Sequence, residues 1–227
     1  MNRSVFEAAQ EAVPYEAERR AMVEEQIRRR GVQDPHVLDA MFSVPRHEFV
    51  LPEHLGAAYE DRPLPIGTTE TISQPYIVAA MTAAARISPG DKVLEIGTGA
   101  GYQAAVLAYL GAEVVTVERN GSLADAARER LQWLGFNRVK VVEGDGTEGY
   151  PADAPYQAIL VTAAAPRVPE PLIEQLADGG RLVIPVGDRN RQDLLQIFKH
   201  GAETSTRFLD PCQFVPLIGK HGWPGPK

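Results

Sequence analysis

The sequence predicts an α/β fold: a doubly wound, mostly parallel sheet with helices on both faces, antiparallel closing strands and an N-terminal helical segment. Three observations predict it. Short β-branched runs alternate with helical patterns from about residue 92 onward. A glycine-rich turn, Gly97-Thr98-Gly99-Ala100-Gly101, follows directly on the apolar run Val93-Leu94-Glu95-Ile96. The helical patterns stop after Gly187, leaving strand-like segments alone. At 227 residues one continuous core is the default. We divide it into a helical and substrate-loop segment, residues 1–90, and an α/β core, residues 91–227, of the same domain.

The front carries a charged amphipathic run from Glu16 that ends at Arg28-Arg29-Arg30 and Gly31. Cations in a last helical turn complement the helix dipole, and glycine suits the position just beyond, so this cluster reads as a helix end. Asp34-Pro35 reads as an N-cap and first helical residue, opening a short helix through Val37, Leu38, Met41 and Phe42 that stops before Pro45. Between Pro52 and Pro75 recurrent prolines and glycines allow only an extended surface segment. A helix-like run, Ile77-Val78-Ala79-Ala80-Met81, follows.

In the core the pattern places strands at Lys92–Ile96, Val114–Glu118, Val139–Glu143, Ala158–Thr162 and Arg181–Val186, with helices near 101–110, 121–134 and 169–177. Asp193–Lys199, Thr204–Phe208 and Gln213–Leu217 read as closing antiparallel strands, and the last six residues as a tail.

The formal net charge of −7 disfavours a partner held mainly through phosphates, so no nucleic acid is expected. No apolar stretch approaches a membrane span, and Met1–Glu7 lacks the apolar core of a secretory signal. Cys212, the single cysteine, can form neither an intramolecular disulfide nor a multi-cysteine metal site. The five histidines show no ligand spacing, and no metal is expected. These points place the chain in the cytoplasm, off the membrane; we expect a monomer.

The glycine turn reads as a nucleotide-binding turn: without Cβ atoms the backbone can approach a ligand and present N–H groups at a helix N-terminus. A dinucleotide fingerprint needs G-x-G-x-x-G, but here the third glycine falls one place early, at Gly101, and position 102 is Tyr. Glu118 ends the next strand about 20 residues beyond Gly97, the offset at which an acid grips a ribose in related folds. Asp145 in Gly144-Asp145-Gly146 ends the third strand. Each acid taken singly reads equally well as a solvated strand end.

The turn resembles the E/D-x-G-x-G-x-G motif of class I methyltransferases. Together with Leu64-Pro65-Ile66-Gly67, Thr71-Ile72-Ser73-Gln74-Pro75-Tyr76, Val117-Glu118-Arg119, Gly144-Asp145-Gly146, Val161-Thr162-Ala163-Ala164-Ala165-Pro166 and Phe214-Val215-Pro216-Leu217, it resembles the protein-L-isoaspartate O-methyltransferase family over residues 22 to 217. The resemblance implies a Rossmann-like methyltransferase fold and S-adenosyl-L-methionine as cofactor. It implies cofactor binding by Glu95, Gly97, Thr98, Gly99, Gly101, Tyr102, Glu118, Asp145, Gly146 and Thr162, with Asp145 near the adenine amino group. It implies damaged proteins or peptides containing isoaspartyl residues as substrate, held by Ile66, Gly67, Thr71, Ile72, Ser73, Val215, Pro216 and Leu217. Ser73 is implied as the catalytic-site residue, its hydroxyl orienting the carboxylate toward the methyl group.

Two readings compete at Ser73. Serine before Gln-Pro and an apolar run is also an N-cap signal, and spacing alone favours the cap. The whole chain likewise admits a class I methyltransferase for a small molecule or another carboxylate, or a non-catalytic cofactor-binding module. Asn120-Gly121 is a pair prone to isomerise, which would make the chain a source of its own substrate.

Overall fold

The computed structural model describes residues 14–67 and 69–225; Met1–Glu7, read above for a signal, lies outside them. The front run is helical as its pattern requires: α1 (Glu16–Ala21) continues through a π-helical stretch, Met22–Ile27, and a 3₁₀ turn, Arg28–Arg30, to Gly31 at φ 102°. Asp34 caps α2 (Pro35–Ser43), its carboxylate accepting from His36 N–H at 2.9 Å. A 3₁₀ turn, Arg46–Phe49, leads into the proline-rich stretch, which holds a second, Pro52–Ala57, and one small hairpin, β1 (Leu64–Pro65) against β2 (Thr71–Ile72). The hairpin delivers Thr71 to the start of α3 (Pro75–Ala85).

From there strands and helices alternate: β3 (Lys92–Ile96), α4 (Tyr102–Tyr109), β4 (Glu113–Glu118), α5 (Gly121–Trp133), β5 (Val139–Glu143), β6 (Tyr156–Val161), α6 (Glu170–Glu174), β7 (Leu176–Gly187), β8 (Gln192–His200) and β9 (Glu203–Cys212). The seven strands β3 to β9 form one sheet in the order β5-β4-β3-β6-β7-β8-β9, parallel through β7 and antiparallel beyond it. The strand order reverses between β3 and β6, and ligands in open α/β sheets bind outside the carboxyl ends at such a switch. Alternate residues face opposite sides. Val93, Ala158 and Leu160 join a core with Met22, Met41, Val78 and Leu107, whereas Leu94, Ile96, Ile159 and Val161 pack with Leu172 and Leu217. The first of these cores unites residues before and after position 90.

Three expectations are corrected. Gln213–Leu217 is not a third closing strand: Pro216 has no N–H, and the segment makes one bridge, with Ala164 N–H donating to Val215 and Leu217 N–H to Ala164. The helix expected over 169–177 ends at Glu174, because Tyr156 N–H takes the carbonyl of Gln175 and draws the chain into β7. The expected tail is folded back on the chain at Trp223, which bridges to Ile218.

Candidate active site

The carboxyl ends of β3, β4 and β6 open onto a cavity of about 630 Å³, within the range of small-molecule sites. Its walls include Gly97, Gly99, Glu118, Gly146 and Thr162. At Gly97 φ is +94°, and a Cβ would collide with the Thr162 hydroxyl, so glycine is required twice over. That hydroxyl donates to the carbonyls of Ile96 (3.0 Å) and Gly97 (2.7 Å), tying β6 to the turn. Glu118 closes the turn from β4: its carboxylate accepts from Gly99 N–H (2.9 Å) and Asn120 N–H (3.0 Å).

The other residues implied for the cofactor lie under or beside the cavity. Glu95 is fully buried beneath the turn, where Thr116 Oγ1 donates to it at 2.5 Å and burial pushes its carboxyl up to about 8. Thr98 Oγ1 meets Thr116 Oγ1 at 2.7 Å, which completes a buried polar chain supporting the turn. Gly101 is packed against Leu131. Tyr102 is buried against Phe49, with the Arg46 guanidinium 5.0 Å over its ring. Both oxygens of Asp145 are engaged, Oδ1 by Thr147 N–H (2.9 Å) and Oγ1 (2.7 Å), and Oδ2 by Lys220 N–H (2.8 Å). Burial alone would raise the Asp145 carboxyl, but these donors hold it below its ordinary value.

A second cavity of about 400 Å³ adjoins the first. Ser73, Tyr76, Phe214 and Val215 line it, and the two cavities share Thr71, Thr162 and Val215. Ser73 is half-buried and gives α3 no capping hydrogen bond; Gln74 occupies the N-cap position, with Pro75 at the first helical residue. The capping reading is therefore corrected. Ile66 and Ile72 are buried beside the site, Ile66 directly over Gly99, whereas Gly67 is exposed against Glu70. Pro216 and Leu217 border the first cavity rather than the second.

Sequence reasoning missed several lining residues. Arg28 and Arg29 pair with Glu24 and Glu25 along the helix, as a helix end would. Arg30 instead crosses to Asp61 at 2.8 Å, with its guanidinium 3.5 Å over the Tyr76 ring, and lines the second cavity. Nothing in three consecutive arginines signals which one reaches Asp61 and Tyr76. Arg189 and Ile218, on connecting segments, and Pro224, in the segment read as a tail, line the first cavity.

The model of the protein-L-isoaspartate(D-aspartate) O-methyltransferase family matches residues 17–222. Two relatives named protein-L-isoaspartate O-methyltransferase are similar over nearly their whole lengths. The one from Methanoculleus marisnigri is 57% identical over 95% of this chain and 98% of its own. That from Methanoregula boonei is 56% identical over 92% and 97%. A solved structure of the same name aligns with a TM-score of 0.81 at 31% identity, covering 90% of this chain and 67% of its own.

Proposed function

The chain belongs to the protein-L-isoaspartate(D-aspartate) O-methyltransferase family, and on that premise we propose how its two joined cavities divide the reaction. The enzyme transfers a methyl group from S-adenosylmethionine to the free carboxylate of isoaspartyl residues in damaged proteins, the step that initiates their repair. Gly97 and Thr162 leave the larger cavity a floor of bare backbone, and Glu118 stands at its wall as an acceptor for ribose hydroxyls, so the residues present fit the cofactor. When bound, S-adenosylmethionine supplies an electrophilic methyl group on a sulfonium. An ionised carboxylate is already a nucleophile at neutral pH, so the smaller cavity needs no general base, only orientation. Ser73 donates its hydroxyl hydrogen to that carboxylate, and Arg30, paired with Asp61, stands at the wall of the same cavity.

The observation that carries this reading is the shared boundary at Thr71, Thr162 and Val215, through which the two sites communicate. A hydrogen bond to a charged acceptor contributes roughly 1.5–3 kcal/mol, so Ser73→Ala should lower kcat/KM for an isoaspartyl peptide roughly 10- to 100-fold. Calorimetry should find its cofactor affinity unchanged; a variant that methylates at the parent rate would remove Ser73 from the mechanism. We further assign the chain to the cytoplasm as a monomer, without nucleic-acid or membrane partners. The excess of 30 acidic over 23 basic residues supports the absence of a nucleic-acid partner, and the single cysteine supports the compartment. Among the described residues no helix is long and apolar enough to cross a membrane.

A further inference from the structure

Beyond Leu217 the chain folds into a closed turn. Trp223 N–H donates to the Leu217 carbonyl (2.7 Å), Gly219 N–H to Trp223 (3.1 Å) and Gly222 N–H to Gly219 (3.1 Å). The turn is held to the body mainly by polar contacts. Lys220 N–H donates to Asp145 Oδ2 (2.8 Å), His221 N–H to Thr147 Oγ1 (3.1 Å) and Trp223 Nε1–H to the Ala164 carbonyl (3.1 Å). Lys220 Nζ pairs with Glu148 at 2.8 Å, and the Arg189 guanidinium stands 5.0 Å over the Trp223 ring. A Cβ at Gly219 would collide with the Asp145 carboxylate, so the fit between turn and body depends on glycine there. One side of this turn faces the site: Ile218, Pro224 and Gly225 line the 630 Å³ cavity together with Gly97 and Gly99 of the glycine turn.

We propose that Ile218–Gly225 is a strap belonging to the cofactor site, latched to the body through Asp145, and that it retains whatever occupies the larger cavity. The proposal rests on the cofactor reading given above. Asp145 then acts through the strap: its two oxygens join the turn after β5 to Lys220 and so fix the cavity's outer wall. The contacts holding the strap are hydrogen bonds, an exposed ion pair and one cation–π contact, most of which exchange readily with water, whereas the floor is built into the sheet. The strap is thus the part of the wall that can part from the rest while β3, β4 and β6 stay intact.

The test is the release of labelled S-adenosylhomocysteine, the demethylated product, from the whole enzyme, followed by rapid filtration. Trp223→Ala removes both the hydrogen bond to Ala164 and the Arg189 contact; Lys220→Pro removes the donor to Asp145; a chain ending at Leu217 removes the strap. Each should release the product at least ten-fold faster than the parent, while the melting temperature without ligand changes little. Where the shortened chain does not fold, the two point variants decide. Release within two-fold of the parent in folded variants would overturn the strap. No binding by the parent itself would overturn the cofactor reading together with it.

Discussion

Thr162 locks Gly97: one hydroxyl at the end of β6 donates to the carbonyls of Ile96 and Gly97, at 3.0 and 2.7 Å, and occupies the space a Gly97 side chain would need. Gly97→Ala therefore meets both a positive φ and a collision. It should destabilise the chain by about 1–3 kcal/mol in thermal or denaturant melts, and calorimetry should show S-adenosylmethionine affinity reduced by at least ten-fold. Parental affinity in this variant would show that the turn does not carry the cofactor.

The buried Glu95 makes stability depend on pH. In the unfolded chain its carboxyl titrates near 4.5, and in the folded chain at about 8, because burial penalises the charged form. Between those values the unfolded state has released its proton while the folded state keeps it. Stability attributable to this group therefore falls as pH rises from about 4.5 to about 8, by at most ~5 kcal/mol. Glu95→Gln keeps an acceptor for Thr116 and removes the titration. It should melt above the parent at pH 8, with the difference shrinking toward pH 5; an equal difference at both pH values would contradict the assignment.

Asn120 caps α5, its Oδ1 accepting from Ser122 N–H (3.1 Å) and Leu123 N–H (3.4 Å). Isomerisation requires Gly121 N to attack the Asn120 side-chain carbonyl carbon, and the cap holds that group in place. The pair should stay intact in the folded chain and isomerise once unfolded. Peptide mapping of protein aged in native and denaturing buffer distinguishes the two, and isoaspartate at 120 under native conditions would refute the protection.

The parallel strands are legible from their β-branched runs: Lys92–Ile96, buried in the middle of the sheet, and Val139–Glu143, its half-buried edge strand, match to the residue. The sequence places this strand from Arg181, whereas β7 begins at Leu176: Leu176 pairs with Tyr156, the register shifts over Asp178-Gly179-Gly180, and pairing resumes at Arg181 opposite Ala158. In the site, the glycine turn was legible from spacing, and Thr71, Ser73 and Val215 from the family motifs. Glu95 and Tyr102 share those motifs but lie beneath the cavity, because a motif marks what supports a site as well as what lines it. Arg30, Arg189 and Trp223 carry no local signal; long-range packing alone places them.

The most direct test of the whole account is methyl transfer from labelled S-adenosylmethionine to two peptides that differ only at one position, isoaspartyl in one and ordinary aspartyl in the other. The account predicts label in the isoaspartyl peptide, as a base-labile ester, and none above background in its twin. Equal labelling of both, or of neither, would contradict it.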